Sequence, residues 1–152
     1  MTQVTMNPAD KKKLATTGLR FHKGTLKGVK KGMKMLQESA KRFDGSNQLR
    51  IRTGKLRDSI DYSIKDNRSE IVAFLGSDAL YARIHEFGGT ITARRSKHLV
   101  FLTNSGWRRV KSVTIPPRPF LITAISKNKD KFAKIVNEGA VAGWKGRLLG
   151  IF

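Results

Sequence analysis

Histidine and cysteine are frequent metal ligands in proteins, and cysteine is also a common nucleophile. This chain contains few such residues. The 152 residues contain no cysteine, which excludes disulfides and thiolate chemistry and fits a reducing cytosol. The three histidines are His22, His85 and His98, with no i, i+4 pair and no HExxH motif. The sequence therefore predicts no metal and no cofactor.

Acid–base chemistry needs paired titratable groups in a cleft, and the best candidate pair is His85 with Glu86. Neighbouring residues on a helix point about 100° apart, so these two side chains would not act as a unit. No GxSxG, P-loop or GxGxxG motif is present. We therefore predict that the protein is not an enzyme.

Net charge is the most unusual property of the chain, because 31 lysine and arginine residues oppose 11 acidic residues and give +20. Residues 1–55 and 90–120 carry most of the excess, and 90–120 contain no acidic residue at all. These cations repel one another unless a partner neutralises them. The balance indicates an anionic partner.

Nucleic acid is one candidate for that partner. Trp107 stands beside Arg108 and Arg109, a combination that can stack on single-stranded bases, although packing of Trp107 on its own hairpin is the favoured interpretation. No zinc finger or RNP-like strand motif is present, so base readout is not expected. Contact with a phosphate backbone stays open.

The elements that position these residues begin with an arm and a long helix. Residues 1–18 are predicted to form a flexible arm. From Leu19 to about Phe43 apolar residues recur at spacings of 3 and 4, which predicts an amphipathic helix. Three glycines at i, i+4 spacing form a smooth face that another backbone could approach: Gly24, Gly28 and Gly32.

A short helix and a β-hairpin are predicted next. Thr53 is expected to cap a helix over 54–59. Residues 60–64 alternate between apolar and polar, and residues 71–75 are continuously apolar, which predicts two paired strands. The turn between them is expected at Asp66 and Asn67.

A second short helix should follow the hairpin. Ser77 or Asp78 is expected to cap it, and Gly88 to end it. Its inward face is predicted to consist of residues at i, i+4 and i+7, namely Leu80, Ile84 and Phe87.

The last third is predicted to hold an extended basic β-hairpin insertion over 90–114 and then a helix with Pro119 at its first position. The cations lie at or beside the turns of the insertion. Residues 146–152 form an apolar tail that either docks on its own domain or inserts into a neighbour. The whole pattern predicts one α+β domain over 19–145, in which the N-terminal and C-terminal helices pack on one face of a small antiparallel sheet.

Three motifs occur in order: RTGKLRDSI at 52–60, YARIHEFGG at 81–89 and IPPRPFL at 115–121. Their order over about residues 20–140 resembles the tailed-phage tail-completion or virion-morphogenesis family, also described as head–tail joining or minor tail component proteins. Residues 90–114 are longer than the usual connection, and the charge is more basic.

The resemblance implies a non-enzymatic structural protein of the virion, assembled in the host cytoplasm. Such proteins form rings, hexamers most commonly and dodecamers as the other expectation, at the neck between head and tail. The implied partners are other copies of the chain, connector or adaptor proteins, and tail terminator or tube proteins. The genome passes through the ring.

The motif residues are expected to have structural roles. Gly88 and Gly89 permit a positive-φ exit from their helix. Arg118, held stiffly between prolines, is expected to pair with Glu86 or with an acid on the next subunit. The structural motif set is Thr53, Gly54, Leu56, Tyr81, Glu86, Phe87, Gly88, Gly89, Arg118, Pro119 and Phe120.

The interface is predicted on the basic hairpin and the apolar tail. Most of the basic surface is expected to meet acidic partner proteins, with non-specific DNA contact as a lesser role, because a strongly cationic channel would hold passing DNA. The alternative is a stand-alone nucleic-acid-binding protein that contacts the phosphate backbone. The predicted interface residues are Arg94, Arg95, Lys97, Arg108, Arg109, Lys111, Leu148, Leu149, Ile151 and Phe152.

Overall fold

The computed structural model describes residues 8–42, 54–67, 69–94 and 96–145, and it confirms the predicted α+β class. Its strands form three separate two-stranded antiparallel sheets, β1–β2, β3–β6 and β4–β5. The elements in chain order are α1 (Pro8–Arg42), α2 (Lys55–Asp58), β1 (Ile60–Asn67), β2 (Glu70–Ser77), α3 (Ala82–Phe87), β3 (Gly89–Thr92), β4 (Leu99–Thr103), β5 (Gly106–Val110), β6 (Ser112–Ile115) and α4 (Leu121–Lys145).

Helix α1 begins at Pro8, so the helix start predicted at Leu19 is wrong. The described part of the predicted arm, residues 8–18, is helical and mostly exposed. Proline fits the first turn of a helix, and the lysine, leucine and alanine residues that follow it favour helix strongly enough to outweigh Gly18. Residues 1–7 lie outside the described residues.

Helices α1 and α4 run antiparallel and approach each other at glycines, as the smooth face of α1 predicts. A Cβ added to Gly139 would lie 2.6 Å from the carbonyl oxygen of Gly24, and one added to Gly28 would lie 2.9 Å from the carbonyl oxygen of Ile135. Real side chains do not tolerate such distances, so the two backbones touch only because these residues are glycine. The backbone that approaches the glycine face belongs to the same chain.

The predicted β1–β2 hairpin is confirmed, with Ile60 opposite Ser77 and Asn67 opposite Glu70. Its strands are longer than the apolar pattern indicated. Asp66 and Asn67, the predicted turn, belong to β1, because cross-strand pairing continues past the apolar residues. The inner face of the hairpin packs on the apolar stripe of α1, which is formed by Val29, Met33 and Leu36.

The caps predicted for the two short helices are wrong. The residue before α2 is Gly54, with φ 75°, and Thr53 lies outside the described residues. The residue before α3 is Tyr81, without a side-chain capping bond, while Ser77 Oγ accepts a hydrogen bond from the Ala79 N–H at 3.2 Å in the preceding turn. Left-handed backbone and a turn replace the side-chain caps that the residue types suggested.

The predicted inward face of α3 is also wrong. Leu80 is 99% exposed and Phe87 is 64% exposed, whereas the buried residues of this helix are Ala82 and Glu86. Leu80 precedes the helix, which starts at Ala82, so the i, i+4, i+7 pattern spans a turn as well as a helix. A helix of six residues is too short for its apolar spacing to define a face.

Residues 89–115, named the ribbon here, form a long two-stranded arm in two parts. β3 pairs with β6 at its base, and β4 pairs with β5 at its tip. The ribbon strands pack chiefly on one another. Arg108 and Arg109 lie within β5 and pair across to β4, so the prediction that they lie at or beside a turn is wrong.

Candidate assembly surfaces

The three sequence motifs meet in space around Phe120, which is 1% exposed. Ile60 of the first motif and Ala82 of the second are buried in the same cluster, and Leu56 packs against it. The motifs are about thirty residues apart along the chain, so this cluster ties the hairpin, α3 and the start of α4 together. It positions both the ribbon and the helix pair.

Glu86 is buried at this junction, where its carboxylate accepts hydrogen bonds from three backbone N–H groups at the start of α4. Phe120 and Leu121 donate to Oε2 at 2.8 and 3.0 Å, and Ile122 donates to Oε1 at 2.8 Å. A carboxylate at a helix N-terminus accepts hydrogen bonds from N–H groups that have no partner within the helix, and it interacts favourably with the helix dipole. Glu86 is therefore the cap of α4, supplied by a residue distant in sequence.

Arg118 does not pair with Glu86 in the described part of the chain, so that half of the prediction is wrong. The Glu86 oxygens are taken by the backbone of α4, and the Arg118 N–H donates to the His85 carbonyl at 2.7 Å. The Arg118 Nε is buried without a hydrogen-bond partner among the described residues. Pairing of Arg118 with an acid on a neighbouring subunit stays a proposal.

Two glycines allow the chain to leave α3 and enter the ribbon. Gly88 has φ 69° and Gly89 has φ 149°, which confirms the predicted positive-φ exit. A Cβ on Gly88 would lie 2.8 Å from the Pro117 nitrogen and 2.9 Å from the Ile115 carbonyl oxygen. The two ends of the ribbon therefore touch at Gly88 and Pro117, which requires glycine for both its dihedral angle and its size. Pro119 precedes α4, which begins at Leu121, so the predicted first helical position is wrong by two residues.

His85 and Glu86 make separate contacts. The pKa of His85 lies below its ordinary value because the ring is desolvated by burial and because the Arg118 cation is near. Its ring contacts Tyr81 edge-on with centroids 6.0 Å apart, and its Nδ1 is buried without a hydrogen-bond partner among the described residues. The Glu86 carboxylate already accepts the hydrogen bonds that cap α4, so the contacts of both residues are structural.

The ribbon tip exposes one apolar face, formed by Val100, Leu102 and Trp107 at 60, 62 and 74% exposure. Leu102 lies directly opposite Trp107, and Val100 lies opposite Arg109. Trp107 is mostly solvent-exposed, so the prediction that it packs on its own hairpin is wrong. A two-stranded ribbon has no second layer to cover both of its faces.

The predicted basic interface residues fall on this ribbon. Arg94, Lys97, Arg108, Arg109 and Lys111 are all exposed, and none of them forms an ion pair within the described part of the chain. Arg109 shares the apolar face, whereas Arg108 lies on the opposite face. Five predicted interface residues lie outside the described residues: Arg95, Leu148, Leu149, Ile151 and Phe152.

A second basic surface, not singled out from the sequence, follows α1. Successive helical residues are about 100° apart, so ten of the eleven cations of α1 fall within one sector of about 120°. The sequence signal for this surface is that the lysines of α1 recur at spacings of 3 and 4, as the apolar residues do on the opposite side of the helix. The α1 basic stripe consists of Lys12, Lys13, Arg20, Lys23, Lys27, Lys30, Lys31, Lys34, Lys41 and Arg42.

Neither a metal site nor a membrane span is found in the described ranges. No three metal-ligating side chains cluster there. None of the helices there is both long enough and apolar enough to cross a bilayer.

The described residues form an α+β body with a helix-capping junction and two exposed basic surfaces. Residues 25–137 match the phage virion morphogenesis family, and the chain belongs to that family. Neither curated proteins nor solved structures gave a match. The family supports a structural role in phage assembly and a place in the virion.

Proposed function

We propose that this protein forms a ring at the neck or tail end of the virion, completes the tail or the head, and joins the two around the DNA channel. Membership of the virion morphogenesis family supports a structural role in assembly. The observation that carries the finer proposal is the ribbon tip, because its apolar face has no cover within the described chain.

The ribbon is suited to contact a neighbouring subunit. Each of β4 and β5 pairs with one strand only among the described residues, so each has an unpaired edge beside the exposed Leu102 and Trp107. Unpaired edges and exposed aromatic side chains are typical of strand-mediated interfaces. Burying this face against another copy would pair the free strand edges and cover the exposed apolar side chains.

A groove on the helical body is the surface that we propose receives the ribbon of the next copy. It has a volume of about 390 Å³ and lies between α1, α4 and β2. β2 contributes Ile71, Ala73 and Leu75, while β1 contributes nothing, so the groove borders the free edge of β2. An incoming strand there would extend the hairpin and place apolar side chains over Phe132 and Val136. Ribbon and groove are different surfaces, so the contact is heterologous, and such a contact forms a ring when the rotation between successive copies closes.

The cations of the ribbon add specificity to this arrangement. Arg109 lies on the apolar face beside Val100 and Trp107, and Arg108 lies on the opposite face of the ribbon. Charges around an apolar centre steer association and fix register more than they raise affinity. Acidic connector, terminator or tube proteins are the complementary partners for those cations that subunit contacts leave exposed.

Light scattering on the purified protein at low and high salt tests the ring. We expect a discrete ring mass for the natural chain and a monomer for Trp107→Ala. Trp144→Ala is the matched control, because Trp144 is 59% exposed but lies at the end of α4, away from the ribbon and the groove. Equal masses for the two variants would contradict a ribbon-mediated ring.

Gold labelling of intact virions tests the location. We expect label at the junction of head and tail. A protein that is monomeric at every salt concentration and absent from virions would instead fit the stand-alone nucleic-acid-binding alternative.

A further inference from the structure

An ordinary solvated helix face mixes acidic and basic residues, whereas the α1 basic stripe is almost entirely basic. Glu38 is the one acidic residue in its sector, and no ion pair within the described ranges involves any of its eight lysines. Lysines stand at i, i+4 as like-charge pairs, for example Lys23 with Lys27 and Lys30 with Lys34. Like charges at this spacing destabilise a helix, so an external anion that neutralises them would stabilise it.

The stripe also lacks the side chains that make protein interfaces. The exposed apolar residues of α1 are Leu14, Leu19 and Phe21, and their helical positions place all three outside the basic sector. Protein–protein interfaces are depleted of lysine and built around apolar or aromatic anchors. This surface has many lysines and no anchor.

The dimensions of the stripe fit a polyanion of regular charge. From Lys12 to Arg42 it extends about 45 Å at 1.5 Å per residue. Double-stranded DNA carries one phosphate charge per about 1.7 Å of its axis, so a duplex alongside the helix can neutralise every cation. Contact with α4 at glycines fixes the middle of α1, and one border of the stripe, formed by Arg20, Lys23, Lys27 and Lys31, runs beside α4.

We infer that the α1 basic stripe is a binding surface for the phosphate backbone of double-stranded DNA, without base readout. Lysine ammonium groups act as point charges toward phosphates, and release of condensed counterions drives the binding. The inference goes beyond ring formation and uses the proposed function only to identify the DNA as the genome at the neck, which a cationic surface of this kind would hold in place rather than let pass freely. It assigns the DNA-facing role to α1, and leaves the ribbon to protein contacts.

Two variants that remove the same number of charges provide the test. The stripe variant combines Lys23→Gln, Lys27→Gln, Lys30→Gln and Lys34→Gln. The matched control removes four ribbon cations instead, with Lys97→Gln, Arg108→Gln, Arg109→Gln and Lys111→Gln. All eight side chains are exposed, and glutamine has nearly the helix propensity of lysine, so both variants are expected to fold.

Fluorescence anisotropy with a labelled random-sequence duplex of about 30 base pairs measures binding from about 50 to 200 mM salt. For the natural chain we expect affinity to fall by about 1,000-fold or more over this range, as for six or more phosphate contacts. The stripe variant should lose about 3 to 4 units of the logarithmic salt slope, and the ribbon control less than about 1.

Equal losses of slope in the two variants would overturn the inference, since net charge alone would then explain binding. An unchanged slope in the stripe variant would also overturn it, and loss of that variant from virions would then assign the stripe to an acidic protein. Light scattering separates this result from the ring proposal. The stripe variant should keep the ring mass, and Trp107→Ala should lose it while still binding DNA.

Discussion

The ribbon and the α1 basic stripe carry the same kind of charge in two different arrangements. On the ribbon, alternate residues point to opposite faces, so Arg109 shares a face with Val100 while Arg108 takes the other. On α1, the helical repeat gathers ten cations on one side and the apolar residues on the other. Mixed cations and apolar side chains suit a protein partner, whereas segregated cations suit a polyanion.

The two regions also differ in how firmly they are held. α1 contacts α4 backbone to backbone at glycines and packs on the β1–β2 hairpin. The ribbon is fixed at its base and packs chiefly on itself. The middle of the stripe thus lies on a helix that is packed against two other elements, whereas the ribbon is joined to the body chiefly at its base.

Breaking the junction between the two regions should have the largest effect on stability. Glu86→Ala leaves three N–H groups of α4 without their acceptor, and we expect it to lower the free energy of unfolding by about 3 kcal/mol. Urea denaturation measures the change. The exposed Glu38→Ala is the control, expected to change stability by less than about 0.5 kcal/mol. Similar values for the two would contradict the capping role.

Crowding the helix contact should have the next largest effect. Gly28→Ala places a methyl group 2.9 Å from the Ile135 carbonyl oxygen, and we expect a loss of about 1–3 kcal/mol in thermal or urea unfolding. Gly18→Ala is the matched control in the same helix, because nothing lies within 4 Å of its Cβ position. It should raise stability by up to about 1 kcal/mol. A stabilising Gly28→Ala would show that the helices are not in backbone contact.

A smaller, pH-dependent effect is expected at His85. Its pKa is lower in the folded protein than in the unfolded chain, so the unfolded chain binds the proton more readily. The contribution of His85 is therefore fully present above about pH 6.5 and is lost as pH falls through the lowered folded value. Unfolding measured from pH 7.5 to 5 should show a shallower decline for His85→Gln than for the natural chain. An equal decline would mean that burial of His85 carries no such penalty.

The smallest effect on stability is expected at the ribbon tip. Trp107→Ala removes a side chain that is 74% exposed, so the free energy of unfolding should change by less than about 0.5 kcal/mol. The same substitution should abolish ring formation, which separates assembly from folding. A loss of several kcal/mol in the monomer would mean that Trp107 supports the fold.

Regular periodicity made the larger elements predictable. The apolar spacing of Val29, Met33 and Leu36 identifies the face of α1 that packs on the hairpin, and alternation from Ile60 to Ile64 identifies β1. The lysines of α1 show the same regularity, but net charge alone indicates an anionic partner and does not locate the surface that would bind it. The glycine spacing correctly indicated a close backbone approach, and only the structure identifies α4 as the approaching backbone.

Short elements and long-range contacts were not predictable. Six residues of α3 cannot define a face by spacing, so Leu80 and Phe87 were placed inside although they are exposed. The capping of α4 by Glu86 joins residues 34 to 36 positions apart, and nothing local in either segment signals it. Trp107 does not pack on its own hairpin as predicted, because a two-stranded ribbon has no second layer to cover it.

The close backbone contact between Gly88 and Pro117 fixes the base of the ribbon. One strand of the ribbon begins at Gly89, three residues after Glu86, and the other ends at Ile115, five residues before Phe120, whose backbone N–H donates to Glu86. A force applied at the ribbon tip would therefore act on both partners of the hydrogen bonds between Glu86 and the start of α4. α4 and α1 are in backbone contact at Gly24 and Gly28, so the load passes on to the helix that carries the lysines. Seating of the ribbon on a neighbour would in this way be transmitted mechanically to the surface assigned to DNA.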